Sequence, residues 1–204
     1  MFIGVCFFGR IQHFDKKYLL NSFGPNHTYD VFYSGDNEPD ELIAEFQKMY
    51  NPIHIINDKI SYDVDFSIYP NTKTNPVNIN NMTRHFINKK RVFTLLEEHC
   101  NITNKSYDLI VSCRFDLYMD KYSPEIPLPN TIYIPSHEDH TGINDRFAIG
   151  DFNTMKKYMN LYDNCLYLLE NKICPPHPEN LHLYNILFHN INIVRFNLHQ
   201  QLIR

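Results

Sequence analysis

Short uninterrupted apolar runs alternate along this chain with longer stretches whose apolar residues recur every three or four positions. Residues 2–8 read as a strand buried on both faces, followed by residues 29–36 as a second and His54-Ile55-Ile56 as a short third. Leu109, Ile110, Val111, Ser112 and Cys113 read as another strand buried on both faces, with Arg114, Asp116 and Asp120 placed at its carboxyl end. Residues 131–135, 147–149 and 192–196 supply the remaining strands. Helical spacing is visible at 14–23, through Phe14, Tyr18, Leu19 and Phe23. It recurs at 39–50, where Pro39-Asp40-Glu41 suits a first turn. The clearest helix is 80–100, capped by Asn80 or Asn81, with Met82, Phe86, Val92, Phe93, Leu95 and Leu96 as its apolar stripe. Two more helices are predicted at 155–172 and 179–190. Strands alternating with helices predict an α/β fold with a mixed, mostly parallel sheet flanked by helices. No repeat or linker divides residues 1–204, which are expected to form a single domain.

Charge collects where these apolar runs stop. Arg114, Asp116 and Asp120 follow the central buried strand, and charged groups there need water, a partner or a ligand. In open α/β sheets ligands sit outside the carboxyl ends of the strands. Asp116 is therefore a candidate for holding a divalent cation beside a phosphate, with Arg114 next to it. The competing reading is an Arg–Asp pair that merely caps the strand. Gly9-Arg10 leaves the first strand with a backbone able to approach a ligand closely and a planar donor fork suited to phosphate.

Residues 58–80, rich in Pro, Asn and Thr, read as a long binding loop. Within it, Asp63-Val64-Asp65 ranks second as a metal motif. Asn144-Asp145-Arg146 immediately precedes an apolar strand, so Asp145 is a candidate general base. His137 and His140 have a spacing that could hold zinc, but no third ligand stands nearby and a solvated pair is the preferred reading. Arg84, Lys89, Lys90 and Arg91 lie off the apolar stripe of the long helix, mostly as a solvated basic face, with one of them able to reach a diphosphate.

Composition narrows the function classes. Apolar residues make up 43% and charged residues 21%, the balance of a globular domain. A net charge of −4 argues against nucleic acid as the main partner. The five cysteines form no CxxC pair and are expected to be reduced thiols in an intracellular protein. The N-terminal apolar run stops at Arg10 without a basic leader, so neither a signal peptide nor a membrane span is expected, and the location expected is cytoplasmic.

The pieces occur in a telling order: strand-Gly-Arg, Tyr-Asp-Val-Phe, a helix opening with Asn-Asn-Met, Tyr-Asp-Leu-Ile-Val-X-X-Arg-Phe-Asp-Leu, Asn-Asp-Arg-Phe-Ala-Ile-Gly, then His-Pro-Glu. From about Phe2 to Arg195 this order resembles small nucleotide-sugar glycosyltransferases of GT-A type, found in bacterial polysaccharide clusters and large DNA viruses. The resemblance implies a GT-A (Rossmann-like) domain that moves a sugar from a nucleotide-sugar donor, UDP-sugar first, to a glycan or other hydroxyl acceptor. A viral member of this kind would work in the host cytoplasm. It further implies Mn²⁺ or Mg²⁺ on Asp116, donor binding by Phe8, Gly9, Arg10, Tyr33, Ser34, Arg84 and Arg114, and Asp145 as the base. The first acid of the family's DXD motif is replaced here by Arg114, which can itself neutralise part of a diphosphate. The rival readings are a non-catalytic sugar-nucleotide binding module and a Mg²⁺-dependent nucleotidyltransferase or phosphohydrolase. Against the latter, no Gly-rich phosphate loop is present.

Overall fold

Successive residues of the first strand point into two different cores. Ile3, Val5 and Phe7 join one cluster with Tyr33, Phe46 and Val111, whereas Cys6 and Phe8 join another with Val92, Phe93 and Ile110. Side chains alternate across a pleated strand, so a strand covered by helices on both sides needs a continuous apolar run. The fold is given by a computed structural model that describes residues 1–11, 19–61 and 78–202.

In chain order the strands are β1 (Phe2–Phe8), β2 (Thr28–Ser34), β3 (His54–Ile56), β4 (Leu109–Arg114), β5 (Leu117–Met119), β6 (Thr131–Pro135), β7 (Phe147–Gly150), β8 (Asn192–Phe196) and β9 (Gln200–Leu202). The helices are α1 (Asp40–Tyr50), α2 (Ile79–Thr103), α3 (Phe152–Met159), α4 (Leu161–Glu170) and α5 (Pro178–Phe188). Seven strands form one sheet in the order β3-β2-β1-β4-β7-β6-β8. Four of its pairings are parallel, and β7 runs antiparallel to both β4 and β6. The architecture is the mixed, mostly parallel α/β sheet that the apolar pattern predicts, in the Rossmann-like form that the resemblance implies. Among the described residues no helix is long and apolar enough to cross a membrane.

Helix α1 closes the first core with Phe46 and Tyr50. Their rings meet Phe7 and Phe115 edge to face at centroid distances of 5.1–6.2 Å. Helices α2 and α3 cover the second core through Val92, Phe93, Leu96, Met155, Tyr158 and Met159. A third cluster joins the start of α2 (Met82, Phe86) to Leu161, Cys165, Leu168 and Leu181 of α4 and α5.

The structure departs from the sequence reading at four places. Helix α2 begins earlier than expected, and Asn78, not Asn80 or Asn81, is its cap, its side chain accepting from the Asn81 amide at 3.1 Å. The helix expected at 155–172 is two helices that meet at Asn160, because Tyr158 and Met159 pack into the second core while Leu161, Cys165 and Leu168 pack into the third. The central strand ends at Arg114, where its apolar run gives way to charge as expected, and Phe115 turns into the ring cluster; the departure lies just beyond it. The chain then starts β5, which pairs antiparallel with β9 in a separate two-stranded sheet. Of the helix expected at 14–23, the described part is a single 3-10 turn, Leu19–Phe23. Phe14 and Tyr18, like Asp63 and Asp65 in the expected binding loop, lie outside the described residues.

The loop between β6 and β7 is folded back on itself before it reaches Asp145. The Asn144 amide donates to Oδ1 of Asp139 (3.0 Å) and its side-chain amide donates to the His137 carbonyl (2.8 Å). Gly142 then passes so close to α5 that an added Cβ would lie 2.2–2.4 Å from backbone atoms of Glu179 and Asn180. Backbone cannot yield as a side-chain tip can. Gly142→Ala is therefore expected to lower stability by at least about 1–3 kcal/mol, the cost of overpacking. A denaturant melt that matches the parent would show that the loop does not need this approach.

Candidate functional site

The first two strands and the central one end at a common level. Phe8 is in register with Ser34 on one side and Arg114 on the other. Beyond them the Gly9 amide donates to the Ser34 carbonyl (3.2 Å), the Phe115 amide to that of Phe8 (3.1 Å), and the Arg114 amide to that of Arg146 (2.9 Å). Gly9 has φ +93°, a left-handed backbone in which a side chain would be strained, and the Tyr33 hydroxyl donates to its carbonyl at 2.7 Å. Above this level lies a cleft of about 830 Å³. Gly9, Arg10, Asp36, Glu38, Arg114 and Asp116 face it from the strand ends, and Arg84, His85 and Asn88 face it from α2. Residues four apart on a helix share a face, which brings Arg84 and Asn88 to the cleft together.

Guanidinium–carboxylate pairs dominate its chemistry. Arg114 grips Asp116 through two parallel bonds, Nε to Oδ1 at 2.9 Å and Nη2 to Oδ2 at 2.7 Å. Burial pulls the Arg114 pKa down, but the bond to Asp116 and the charges of Asp116 and Asp145 more than reverse this, so it is raised overall. Arg84 Nε lies 2.9 Å from Oδ2 of Asp36, whose Oδ1 accepts the Ile60 amide at 2.6 Å. Glu38 accepts the Ile11 amide at 3.1 Å. Burial raises its carboxyl pKa against the opposing effects of that amide and of Arg10.

Below the cleft floor sits a buried polar group. Lys89 is fully enclosed, and its Nζ donates to the Asp145 carbonyl (2.7 Å) and the Tyr158 hydroxyl (3.1 Å) and lies 2.8 Å from Nε2 of His182. His182 Nδ1 lies 2.9 Å from the Pro178 carbonyl. It serves as the donor there, which leaves Nε2 as the acceptor for Lys89. Nε2 of His85 lies 3.3 Å from Oδ2 of Asp145 without an aligned hydrogen bond. Burial, then the charges of Lys89 and Arg114, holds the His85 pKa well below the usual histidine range, so its ring is neutral.

Among the described residues, His85, Asp145 and His182 are the one group whose ligand atoms gather as a metal needs, within 4.8 Å of one another. The set does not fit a cation. An ion on Nε2 of His182 would sit at roughly 2 Å and so collide with the Lys89 ammonium that already occupies that lone pair.

Of the residues singled out from the sequence, Gly9, Arg10, Arg84, Arg114 and Asp116 line the cleft. Phe8, Tyr33 and Ser34 do not: all three are fully buried beneath it. Phe8 packs its ring 5.1 Å from the Lys89 ammonium, and Ser34 donates to Oδ1 of Asn88 at 2.8 Å, so they support the wall instead of facing a ligand. Asp145 is 6% exposed and lies behind His85, and Asp120 stands away from the site. His140 pairs with Glu138 at 3.3 Å, and the His137/His140 loop assembles no metal group.

His85, Asn88 and His182 were not expected as site residues, and Lys89, expected off the apolar stripe on a basic face, is instead fully buried. One signal was present: Lys89 occupies a core position in the series Met82, Phe86, Lys89, Phe93, Leu96, where a charge needs buried partners.

No curated protein matches the chain. A model of the family described as "Domain of unknown function (DUF7796)" matches residues 43–172, from α1 to just beyond α4, and so takes in His85, Lys89, Arg114, Asp116 and Asp145. That match spans more than half of the chain, and the protein belongs to this family.

Proposed function

We propose that the protein is a glycosyltransferase that binds a nucleotide-sugar donor, UDP-sugar first, and passes the sugar to a hydroxyl group of a glycan or other acceptor. One observation carries the reading: Arg10, Arg84 and Arg114, from three separate segments, line a single cleft at the carboxyl ends of parallel strands. Guanidinium forks suit phosphate oxygens, and the cleft has the size of a small-molecule site. In the reaction the bond between the anomeric carbon and the diphosphate breaks, and the departing oxygen keeps the electron pair. The three arginines stabilise that developing charge. The acceptor oxygen forms the new bond and gives its proton to the His85–Asp145 pair, in which His85 faces the cleft and Asp145 stands behind it.

Calorimetry with a panel of nucleoside diphosphates tests this directly. Binding of at least one, competed by its sugar nucleotide, is the expected result. A flat response across the whole panel sinks the reading. Tight binding without any consumption of sugar nucleotide would make the protein a non-catalytic binding module instead.

A further inference from the structure

We propose that the cleft neutralises the diphosphate of its ligand with guanidinium groups alone, and that Asp116 fixes Arg114 instead of ligating a divalent cation. This rests on the glycosyltransferase reading and adds how the site handles its charge. A hard cation such as Mg²⁺ or Mn²⁺ needs carboxylate oxygens it can reach. Among the described residues each cleft carboxylate already has a protein partner: both oxygens of Asp116 accept from Arg114, Asp36 meets the Ile60 amide and Arg84, and Glu38 meets the Ile11 amide. A cation on Asp116 would also lie next to a guanidinium that never loses its charge. Among the described residues the one cluster of ligand type is already filled by Lys89 Nζ.

The same geometry explains what the pair does. Arginine has five N–H groups, and the side-on grip on Asp116 uses two of them, Nε–H and one on Nη2. Three remain for phosphate oxygens while the pair stays intact. Asp116 is therefore a positioning residue that holds the guanidinium plane against the end of β4. Among the described residues Arg10, Lys59, Arg84 and Arg114 outnumber Asp36, Glu38 and Asp116 around the cleft, and the raised pKa of Glu38 favours its neutral form. The balance already suits an anion.

The test is titration of UDP and the other nucleoside diphosphates into the full chain in EDTA, in Mg²⁺ and in Mn²⁺. The expected result is one affinity in all three buffers. Arg114→Lys keeps the charge and loses the fork, and should weaken binding by about tenfold to a hundredfold in every buffer. Asp116→Asn should weaken it less, again with no effect of cation. If Arg114→Lys fails to fold, the comparison of the parent protein in the three buffers decides alone. Binding that needs Mn²⁺ or Mg²⁺, or tightens tenfold or more with either, overturns the inference and leaves the glycosyltransferase reading standing. Failure of every nucleoside diphosphate to bind in any buffer removes both.

Discussion

Replacing Asp145 with alanine is expected to cut sugar transfer by about 10²–10⁴-fold while donor binding stays nearly intact. The backbone explains why the two should separate. Lys89 holds the Asp145 carbonyl, which alanine retains, and Asn144 pins the loop one residue earlier, so the strand ends that line the donor cleft keep their places. What alanine removes is the carboxylate 3.3 Å behind His85, and with it the charge that favours a proton on that ring. His85→Gln should therefore give a loss of similar size, and the double variant little more than either single one, as for residues that act as a unit. Until an acceptor is identified, slow hydrolysis of the donor to water serves as the readout. Unchanged turnover in Asp145→Ala would place the base elsewhere. A matching loss of donor affinity would instead make Asp145 part of the donor site.

Lys89→Met is expected to cost the fold more than any surface change. It leaves the Asp145 carbonyl, the Tyr158 hydroxyl and Nε2 of His182 without their shared partner, and each buried acceptor deprived of a donor costs about 1–3 kcal/mol. Relief from burying an ammonium offsets part of this, and pH tells the two effects apart. Burial pulls the Lys89 pKa down to about 7 against the opposing charge of Asp145. An unfolded lysine titrates near 10.5, so between those values the unfolded chain holds a proton that the folded chain lacks.

Lys89 therefore weighs against folding near pH 7, and that burden lifts as pH rises towards 10.5. Glu179 acts in the opposite direction. Burial and then the charge of Asp145 raise its pKa to about 8 from 4.5, so its contribution is lost as pH climbs from 4.5 to 8. The buried thiols, whose pKa burial raises above 9.0, lower stability at higher pH in parent and Lys89→Met alike, so the difference between the two isolates Lys89. The gap in melting temperature between the parent and Lys89→Met should thus widen from pH 8 to pH 10. A constant gap would mean that Lys89 titrates as an exposed lysine, and no gap at all would mean that the network contributes nothing.

Local pattern was enough for the sheet. A strand buried on both faces must be apolar at every position, so β1, β2, β4, β6 and β7 announce themselves in the residues alone. Strand ends were legible for a related reason, since Gly9-Arg10 and Arg114-Phe115-Asp116 mark where apolar cover stops. Contacts between distant segments left no such mark. Whether Tyr33 and Ser34 face a ligand or the core depends on the pleat and on the covering helices, α1 over Tyr33 and α2 over Ser34, and both turn inward. The break at Asn160 follows from two cores with different directions, not from any helix breaker in the sequence.

The floor of the cleft shows the same division most clearly. His85 and Lys89 are four residues apart on one helix, but His182 comes from α5 and Asp145 from the loop before β7. A lone lysine in an apolar stripe signals that something buried must receive its charge. Only the packing of α2, α3, α5 and that loop decides that the receivers are the Asp145 carbonyl, the Tyr158 hydroxyl and His182, because hydrogen-bond partners across the fold are chosen by proximity in space and leave no period in the chain.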